Sequence, residues 1–473
     1  MAGDQVLNQL MLGVKLPLKR PKEEFKKIAE VEEPNKISTQ EGNAKYLKEN
    51  HIKIYRHGQV ANVPLAYSRF EDFEGLSMEI IENIKQKGFL KPTPIQAQSV
   101  PIMKVGHDAI FVAPTGSGKT LAYILGILST LRKEQQIKAE SMNKEERKIK
   151  SSELFSLDSV VALIVSPTRE LAKQIRDQFH QFMPKDHKAI YLNKQVISSW
   201  GKKPPKKQPQ IIITTPLRLK KAKHFLKFGN LSHLVLDEAD RLLDESFVEQ
   251  IDSLLAEIPL CQKSLFSATI STGIEILAKG IFTGSDYFKV AVGRLNSSVE
   301  TIDQKLTFVG QEEGRIMAVR QLLASGQLTP PTLLFCESII RANELFSELK
   351  NCGLRVGIIH SQIDPKVRQE MVNNFAAGKI WFLICTEILA RGLDMDVASV
   401  VNYDFPQSTA SYIHRIGRTG RAGRHGQAVT FFGHQDAGNL AIVVNVMKES
   451  GLVVPDWMSD LKRHSNKRQN GSK

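Results

Sequence analysis

The stretch with the clearest capacity for chemistry is "APTGSGKT", residues 113–120, between the strand-like run "DAIFVA" and an apolar run of helical length, 121–131. A glycine-rich turn in that context aims backbone N–H groups and the positive end of a helix dipole at an anion. We expect Lys119 to reach the β and γ phosphates of a nucleotide, and the hydroxyl of Thr120 to hold Mg²⁺. A turn that binds nothing would have the same composition, but the strand–turn–helix context argues against it.

The second such stretch is "LVLDEADRLLD", in which an apolar strand ends at Asp237 and Glu238. Ligands of open parallel sheets bind at the carboxyl ends of the strands. We expect Asp237 to hold the Mg²⁺ that Thr120 also contacts, and Glu238 to orient or deprotonate an attacking water. An acidic surface turn would look similar, but this pair ends a strand in the same α/β unit as the phosphate loop.

Length and charge limit the class of protein. The chain has 473 residues, of which 42% are hydrophobic, with a net charge of +14 and a pI of about 9.4. That length predicts two or three domains, and the charge favours a polyanionic partner such as nucleic acid. No run of about 18 apolar residues occurs, so we expect no membrane span. The N-terminus lacks the pattern of a signal peptide, which predicts an intracellular protein. The scattered cysteines favour a reducing compartment.

The elements that must position these residues show an α/β pattern that occurs twice. Apolar runs of strand length alternate with helical stretches, which predicts parallel sheets covered by helices on both faces. The predicted strands are 108–113, 160–166, 211–215, 233–237 and 263–268, and then 331–338, 355–361, 381–386, 399–406 and 427–432. The predicted segments are a mobile polar extension (1–65) with at most one short helix, a first domain (66–294), a second domain (299–450) and a basic tail (451–473). The charged stretch 133–159 is predicted to be a solvated insertion or a helix extension.

Eight short stretches in this order resemble the motifs of the DEAD-box RNA helicases. They are "GFLKPTPIQ" (88–96), "APTGSGKT", "PTREL" (167–171), "TPLR" (215–218), "DEAD", "SAT" (267–269), "ARGLD" (390–394) and "HRIGRTGR" (414–421). The resemblance covers roughly residues 66–435, and a phosphate loop that begins with alanine is the form this family uses. It implies two tandem RecA-like domains, ATP and Mg²⁺ as cofactors, and RNA as the partner.

The resemblance also implies roles for the residues at matching positions. Gln96 is similar to the glutamine that reads the adenine edge, and Phe70 to the aromatic residue that stacks on the base, with Phe73 as a rival. Asp394 would approach the ribose. The residues implied to hold the phosphates are Ala113, Pro114, Thr115, Gly116, Ser117, Gly118, Lys119 and Thr120. Ser267 and Thr269 would couple hydrolysis to RNA binding, His414 would link its motif to the other domain, and Arg418 and Arg421 would reach the γ-phosphate. Because two arginines three residues apart on a helical turn share a side, we expect both to face the same way.

The RNA side is implied to consist of Thr168, Arg169, Thr215, Arg218, Arg368 and Thr386. Hydroxyl groups and arginines contact phosphates and sugars, so such a surface positions a strand without reading its sequence. An ordinary surface arginine is the alternative interpretation for any one of them, for instance Arg368.

Three positions depart from the family pattern. The segment 197–208, "ISSWGKKPPKKQ", has four lysines where the family has a glycine pair, and we expect those lysines to replace a backbone contact electrostatically. Glu387 stands where aspartate is more usual, and Ser361 where glycine is. None of these changes removes a phosphate or metal group, so an active ATPase is expected.

A closer resemblance, to the Rok-type branch, rests on "GRLNSSVETIDQKLTFVG", "GKIWFLICTEILARGLD" and "GLVVPDWM". It implies a role in assembly of the small ribosomal subunit on pre-rRNA in the nucleolus. We expect a monomer, and a protein activator is compatible with this role. Two alternatives remain open at this stage. One is an ATP-gated RNA clamp that does not separate strands, and the other is a DNA translocase on the same fold, which the "PTPIQ" and "HRIGRTGR" stretches disfavour.

Overall fold

The structure is a computed structural model that divides into two compact units, one of residues 33–295 and one that continues from residue 296. It describes residues 36–60, 62–140, 159–184, 187–243, 245–270, 272–282, 286–293, 301–387, 395–421 and 424–455. The boundary between the two units, at residues 295 and 296, lies between the first and second domains predicted from the sequence. The predicted basic tail from residue 456, the N-terminal 35 residues and Asp394 lie outside the described residues.

The first unit contains an eight-stranded sheet in the order β1-β8-β2-β7-β6-β3-β5-β4. Its strands are β1 (Ile52–His57), β2 (Asp108–Val112), β3 (Ala162–Val165), β4 (Ala189–Tyr191), β5 (Ile211–Thr214), β6 (His233–Asp237), β7 (Gln262–Ser267) and β8 (Tyr287–Val292). All neighbouring pairs are parallel except β1 with β8. The central strands are buried at every position, as expected where helices cover both faces of a parallel sheet.

The described helices of the first unit connect these strands. They are α1 (Gln40–Glu49), α2 (Met78–Gln86), α3 (Pro94–Val105), α4 (Lys119–Glu140), α5 (Arg169–Phe182), α6 (Lys194–Lys202), α7 (Pro216–Ala222), α8 (Ala239–Leu242), α9 (Glu245–Leu255) and α10 (Thr272–Ile281). Helix α4 continues nine residues past the apolar run that predicted it, so the first part of 133–159 is a helix extension. Residues 141–158 lie outside the described part of the chain.

The second unit contains a six-stranded sheet in the order β11-β12-β10-β13-β14-β9, with every pair parallel. Its strands are β9 (Ile302–Gly310), β10 (Thr332–Cys336), β11 (Val356–Ile359), β12 (Phe382–Thr386), β13 (Ser399–Asn402) and β14 (Gly426–Gly433). Its described helices are α11 (Glu312–Ala324), α12 (Ile339–Asn351), α13 (Pro365–Ala376), α14 (Thr409–Ile416) and α15 (Leu440–Glu449). Apolar clusters lie on both faces of the sheet, so each unit has its own core. The predicted architecture of two parallel-sheet α/β domains is confirmed.

The segment 36–60 differs from the mobile polar extension predicted through residue 65. Helix α1 is capped by the Thr39 hydroxyl, which accepts a hydrogen bond from the backbone N–H of Gly42. Strand β1 then pairs antiparallel with β8 and covers the edge of the sheet. Polar residues alternate with apolar ones in β1 because only one face of this edge strand is buried. The segment is therefore polar overall, and its composition does not indicate a strand. Among the described residues, no helix is both long enough and apolar enough to cross a bilayer.

We expect Ile52→Ala to destabilise the first unit by about 2–4 kcal/mol, because Ile52 is 6% exposed and belongs to the core cluster of that unit. The matched control is Lys53→Ala, at the exposed neighbouring position of the same strand, which should change stability by less than about 0.5 kcal/mol. Thermal unfolding of both variants measures the difference. Equal stability of the two would mean that β1 adds nothing to the sheet.

Candidate functional site

The phosphate loop leaves the sheet between β2 and α4. The backbone N–H of Ala113 donates to the Ser267 carbonyl on the neighbouring strand at 3.2 Å, which fixes the start of the loop. Helix α4 begins at Lys119, so its first N–H groups face the loop. The Lys119 ammonium folds back and donates to the carbonyls of Ala113 and Pro114 at 2.7 and 2.9 Å. A cation at the mouth of a helix N-terminus is the arrangement that binds polyphosphate.

Two glycines give the loop its shape. Gly116 and Gly118 have φ of 77° and 90°, a region that L-residues with a side chain rarely adopt. A Cβ on Gly118 would lie 2.4 Å from the Gln96 amide nitrogen, so glycine is required there for space as well as for φ. The Ser117 hydroxyl oxygen is buried and has no hydrogen-bond partner among the described residues. A bound phosphate would supply one.

Gln96 ties helix α3 to this loop. Its Oε1 accepts from the Thr93 backbone N–H at 3.0 Å, and its Nε2 donates to the Gly118 carbonyl at 3.2 Å. One N–H and one lone pair of the amide remain available, which matches the one donor and one acceptor that an adenine edge needs. The adenine contact stays a prediction.

Phe70 and Phe73 are both 1% exposed and pack against each other in the core, with ring centroids 5.4 Å apart. Phe73 also packs on Tyr67 at 5.1 Å. Neither ring offers an open face to a base in this structure, so the geometry does not separate the two candidates. A stacking role for either would require neighbouring side chains to move.

Asp237 ends strand β6 beside the loop and is buried. Burial, and next the like charge of Glu238, raise its pKa to about 6, against the lowering effects of the Tyr123 hydrogen bond and the Lys119 charge. Its Oδ2 accepts from the Tyr123 hydroxyl at 2.9 Å, and its Oδ1 accepts from the Glu238 backbone N–H at 2.9 Å. A buried carboxylate of this kind retains a strong tendency to acquire a cation.

Glu238 is the residue after the strand, and its backbone is strained. Its φ of 49° and ψ of 51° lie in the left-handed region, which costs free energy for a residue with a side chain. This turn lets its carbonyl accept from the N–H groups of Arg241 and Leu242, so that helix α8 begins at once. The Glu238 Oε2 is buried and has no hydrogen-bond partner among the described residues. A water or hydroxyl would satisfy it.

Residues 267–269 connect to the carboxylate stretch through Asp240. The Thr269 hydroxyl donates to the Asp240 carboxylate at 2.6 Å, and the Ser267 hydroxyl accepts from the Thr269 backbone N–H at 3.3 Å. Both side chains are buried. The structure therefore brings Ser267 and Thr269 together with the carboxylate stretch.

The donor set fits Mg²⁺ in company with a nucleotide. The described residues contain no group of three or more His, Cys, Asp or Glu side chains that would hold a metal alone. The Thr120 hydroxyl and the Asp237 carboxylate are hard oxygen donors, and the phenol of Tyr123, one helical turn after Thr120, donates to Asp237. One or two such donors together with phosphate oxygens and water are the usual coordination of Mg²⁺ in nucleotide sites.

The predicted RNA residues of the first unit lie at the carboxyl edge of its sheet. Thr168 follows β3 as the N-cap of α5, and Thr215 follows β5 as the N-cap of α7, and these two strands are neighbours. Arg169 is the first residue of α5 and Arg218 the third residue of α7. Both lie close enough to Tyr191 at the end of β4 to oppose the rise that burial causes in its pKa. The Arg218 Nε is buried and has no hydrogen-bond partner among the described residues. The structure thus brings all four residues together on one edge.

The lysines of 197–208 lie elsewhere. Helix α6 begins at Lys194, with Asn193 as its N-cap at the carboxyl end of β4, and runs to Lys202. Lys202, Lys203 and the following lysines therefore lie near the opposite edge of the sheet, where β5 begins. The expectation that they replace the missing glycine pair is not supported by this placement. Lys194, the first residue of α6, is the lysine at the carboxyl edge.

The second unit places its candidates at the carboxyl edge of its own sheet and in the helices beside it. Thr386 ends β12 and is buried, and Arg368 lies in the first turn of α13, half-buried. Asp394 lies outside the described residues, so its ribose contact stays a prediction. Glu387, which stands where aspartate is more usual, accepts from the Ser411 hydroxyl at 2.7 Å and from the Arg415 guanidinium at 2.9 Å. The longer side chain is thus held by two groups of helix α14.

Arg418 and Arg421 follow α14 but do not share a helical turn, which corrects the geometry expected from their spacing. Helix α14 ends at Ile416, and Gly420 has a φ of 69°, so the chain turns between the two arginines. Arg418 is 6% exposed, whereas Arg421 is half-buried and its Nε donates to the Gly417 carbonyl at 2.9 Å. His414 is buried within α14. The two arginines therefore occupy different surroundings.

Comparisons with known proteins agree with this geometry. Residues 93–277 match the DEAD/DEAH box helicase family, and residues 314–423 match the helicase conserved C-terminal domain. The ATP-dependent RNA helicase ROK1 of Yarrowia lipolytica is 40% identical over 86% of this chain and 75% of its own length. The protein of the same name from Saccharomyces cerevisiae is 36% identical over 87% of this chain and 72% of its own. The chain belongs to the DEAD-box ATP-dependent RNA helicases.

Solved structures extend the likeness to the fold. S. cerevisiae Dbp5 bound to RNA and ADP BeF3 gives a TM-score of 0.65 at 26% identity, covering 84% of this helicase and 99% of that chain. Mss116p bound to ssRNA and AMP-PNP gives 0.67 at 25% identity, covering 84% and 80%. The helicase is accordingly an ATP-binding, RNA-stimulated ATPase with tandem RecA folds.

Three residues near the helicase site are absent from the sequence prediction. Asp240 contacts Thr269, and its position in the "DEAD" motif could have indicated that it belongs to the site. Tyr123 donates a hydrogen bond to Asp237, and Tyr191 lies near Arg169 and Arg218. Tyr123 sits inside an apolar helical run, and Tyr191 in a three-residue strand, so neither stands out by composition.

We expect Asp237→Asn to stabilise the ligand-free helicase at pH 8 and to lose that advantage near pH 4. The pKa of Asp237 is about 6 in the folded chain, above the value of roughly 3.9 for an unfolded aspartate, so the acid form is favoured by folding. That contribution is complete below about pH 4 and is lost as pH rises through 6, which leaves a cost of about 2–3 kcal/mol for the ionised group.

Denaturant unfolding of the first unit from pH 4 to 8 measures this dependence. The control is Asp252→Asn on the exposed face of α9, which should show no pH-dependent gain. A gain for Asp237→Asn that is the same at every pH would show that the buried charge is not its source.

Proposed function

We propose that this DEAD-box helicase opens RNA duplexes locally or remodels ribonucleoproteins during assembly of the small ribosomal subunit, acting on pre-rRNA in the nucleolus as a monomer. The observation that carries the proposal is the match over most of the chain to relatives named ROK1, at 36–40% identity. The net charge of +14 fits a polyanionic partner. The proposal leaves room for a protein activator.

In the proposed ATP site, Lys119 and the N–H groups of the loop neutralise the β and γ phosphates. When bound, Mg²⁺ would neutralise charge on the same phosphates, and Thr120 and Asp237 would hold it. Glu238 accepts a hydrogen bond from the attacking water through its unpartnered, buried Oε2 and so orients that water or takes its proton. The left-handed backbone at Glu238 ends the strand directly after Asp237, the proposed metal ligand.

In the proposed RNA site, Thr168, Arg169, Thr215 and Arg218 bind consecutive phosphates and sugars at the edge of the first sheet, and Arg368 and Thr386 do so in the second unit. Helix N-termini and guanidinium groups recognise phosphate irrespective of base. Such a surface bends and holds a strand without reading it, which suits a helicase that must act on many sequences. An ATP-gated clamp would use the same residues, and a strand-separation assay distinguishes the two.

We further propose that ATP acts as a latch. Arg418 and Arg421 stabilise the γ-phosphate in the ATP-bound form, and Ser267 and Thr269 transmit hydrolysis to the RNA edge. Because ATP and RNA both prefer this form, each should tighten the binding of the other. Loss of the γ-phosphate then releases the RNA.

We expect Glu238→Gln to lower RNA-stimulated ATP turnover by about 10²-fold or more while ATP still binds, because the variant cannot orient or deprotonate the water. Lys119→Ala should also stop turnover, by removing phosphate stabilisation. Steady-state phosphate release measures both. The matched control Glu79→Gln changes an exposed carboxylate of α2 in the same way and should keep turnover near normal.

The same Glu238→Gln variant tests the cellular role, because an enzyme stalled with ATP should remain on its RNA. Crosslinking followed by sequencing of the RNA should recover small-subunit pre-rRNA, and the Glu79→Gln control should recover less of it. If most of the crosslinked RNA is messenger RNA, the proposed role in ribosome assembly is wrong, whereas the assignment as a helicase is unaffected.

We expect Arg218→Ala to weaken RNA binding by a similar factor for every sequence and to reduce the salt slope of log K by about 0.7 for the lost phosphate contact. Lys203→Ala, at the opposite edge of the sheet, is the matched control and should change the slope less. Fluorescence anisotropy with two unrelated RNA strands at several salt concentrations measures this. A matched DNA strand should stimulate ATP turnover less than the RNA does, and equal stimulation would argue for a DNA translocase.

We expect Arg421→Ala to reduce RNA-stimulated turnover by on the order of 10³-fold, because a guanidinium on the transferring phosphate contributes about 10³–10⁵ in rate. Arg424→Ala is the matched control, since Arg424 is exposed and pairs with Asp396 at 2.9 Å. A fragment of residues 36–295, which keeps β1, should bind nucleotide weakly but turn it over slowly. If that fragment hydrolyses ATP as fast as the whole chain with RNA, the latch is refuted.

A further inference from the structure

One buried phenol in the first unit has no role in the mechanism above. Tyr123 lies on helix α4, three residues after Thr120, so both side chains emerge on the same face of the helix one turn apart. It is fully buried, although tyrosine usually keeps its hydroxyl within reach of water. A buried phenol needs a hydrogen-bond partner, and Tyr123 donates to the Asp237 Oδ2 at 2.9 Å.

The phenol links two elements that the chain keeps 114 residues apart. The Thr120 side chain, one turn earlier on α4, lies close enough to the Tyr123 phenol to lower its pKa against the larger effect of burial. The Tyr123 hydroxyl thus lies between the first turn of α4 and the end of strand β6. Thr120 and Asp237, the two side chains proposed to hold the metal, belong to these two elements.

The Tyr123 ring is itself fixed by packing. It meets Phe266 edge to face with centroids 5.2 Å apart, and Phe266 stacks on Phe111 at 4.7 Å. Phe111 and Phe266 lie on the neighbouring strands β2 and β7. The position of the hydroxyl is therefore set by the sheet core and not by the flexible loop.

We propose that Tyr123 is a positioning residue for the divalent cation that accompanies the nucleotide, because its hydroxyl orients the Asp237 carboxylate beside the first turn of α4, which carries Thr120. The inference rests on the proposed metal role of Asp237 and Thr120. With Oδ1 held by the Glu238 backbone N–H and Oδ2 held by the phenol, the carboxylate has one orientation before the cation arrives. Outer partners of this kind typically change metal affinity or activity by about 10–100-fold when removed.

The decisive variant is Tyr123→Phe, which keeps the ring and its contacts with Phe266 and removes only the hydroxyl. Calorimetric titration of the full-length protein with ADP is repeated at a series of Mg²⁺ concentrations. It gives the Mg²⁺ concentration at which half of the Mg²⁺-dependent increase in ADP affinity is reached. We expect this concentration to rise about tenfold, while ADP affinity in EDTA stays within about twofold. The Mg²⁺ requirement of ATP turnover should rise in parallel, with the rate largely recovered at saturating Mg²⁺.

Tyr287→Phe is the control within the same unit. Tyr287 is 4% exposed and pairs with Asp108 at the opposite end of β2 from the phosphate loop, so its hydroxyl should not affect the Mg²⁺ requirement. A purely structural role for Tyr123 would lower the melting temperature and leave the Mg²⁺ requirement unchanged, and that result overturns the inference. An equal shift for both tyrosine variants would overturn it too.

The Asp237→Asn variant tests the metal role of Asp237 separately from the positioning role of Tyr123. If Asp237→Asn leaves the Mg²⁺ requirement unchanged, the metal assignment itself fails. If Asp237→Asn raises it and Tyr123→Phe does not, only the positioning role fails. When Tyr123 acts through Asp237, Tyr123→Phe adds less than about twofold in the Asp237→Asn background, because coupled residues are not additive.

Discussion

The constraint on which the site depends is a carboxylate kept out of water. Asp237, the proposed metal ligand, ends a strand whose every residue is buried. Burial alone favours the neutral acid, and the adjacent Glu238 charge acts in the same direction. The phenol of Tyr123, the backbone N–H of Glu238 and the Lys119 charge oppose that shift. These three groups keep the rise small enough for the carboxylate to be ionised at neutral pH.

Strain at Glu238 follows from the same constraint. Two successive carboxylates on a strand would point to opposite faces of the sheet. The left-handed backbone at Glu238 ends the strand at once and begins α8, so the second carboxylate leaves the sheet at its edge. The next carboxylate, Asp240, then falls where the Thr269 hydroxyl of the adjacent strand end reaches it. One backbone turn thus allows three acidic residues to take different positions in a small volume.

Sequence reasoning succeeded where burial makes a pattern continuous. Strands buried on both faces, such as β6 and β12, are unbroken apolar runs and were predicted within a residue or two. Strands β1 and β9 lie at sheet edges and alternate polar with apolar residues, β4 has only three residues, and Lys289 interrupts the apolar run of β8, so these four strands were not predicted. The phosphate loop and the carboxylates were predictable because their chemistry restricts residue type. Tyr123 was not, since an apolar helix with one tyrosine does not show which strand end its hydroxyl will meet.

Glu387 in the second unit shows that a departure from a family pattern can be absorbed by its neighbours. Its carboxylate contacts Ser411 and Arg415, and Arg415 is 2% exposed, with burial lowering its pKa to about 10. A buried guanidinium without an anion would be costly. The Arg415 guanidinium also donates to the Asp404 carbonyl at 2.8 Å and lies over the Phe335 ring. The side chain of Glu387, one methylene longer than that of aspartate, therefore reaches from the end of β12 to helix α14. It joins the segment that carries Thr386 to the helix that precedes Arg418 and Arg421.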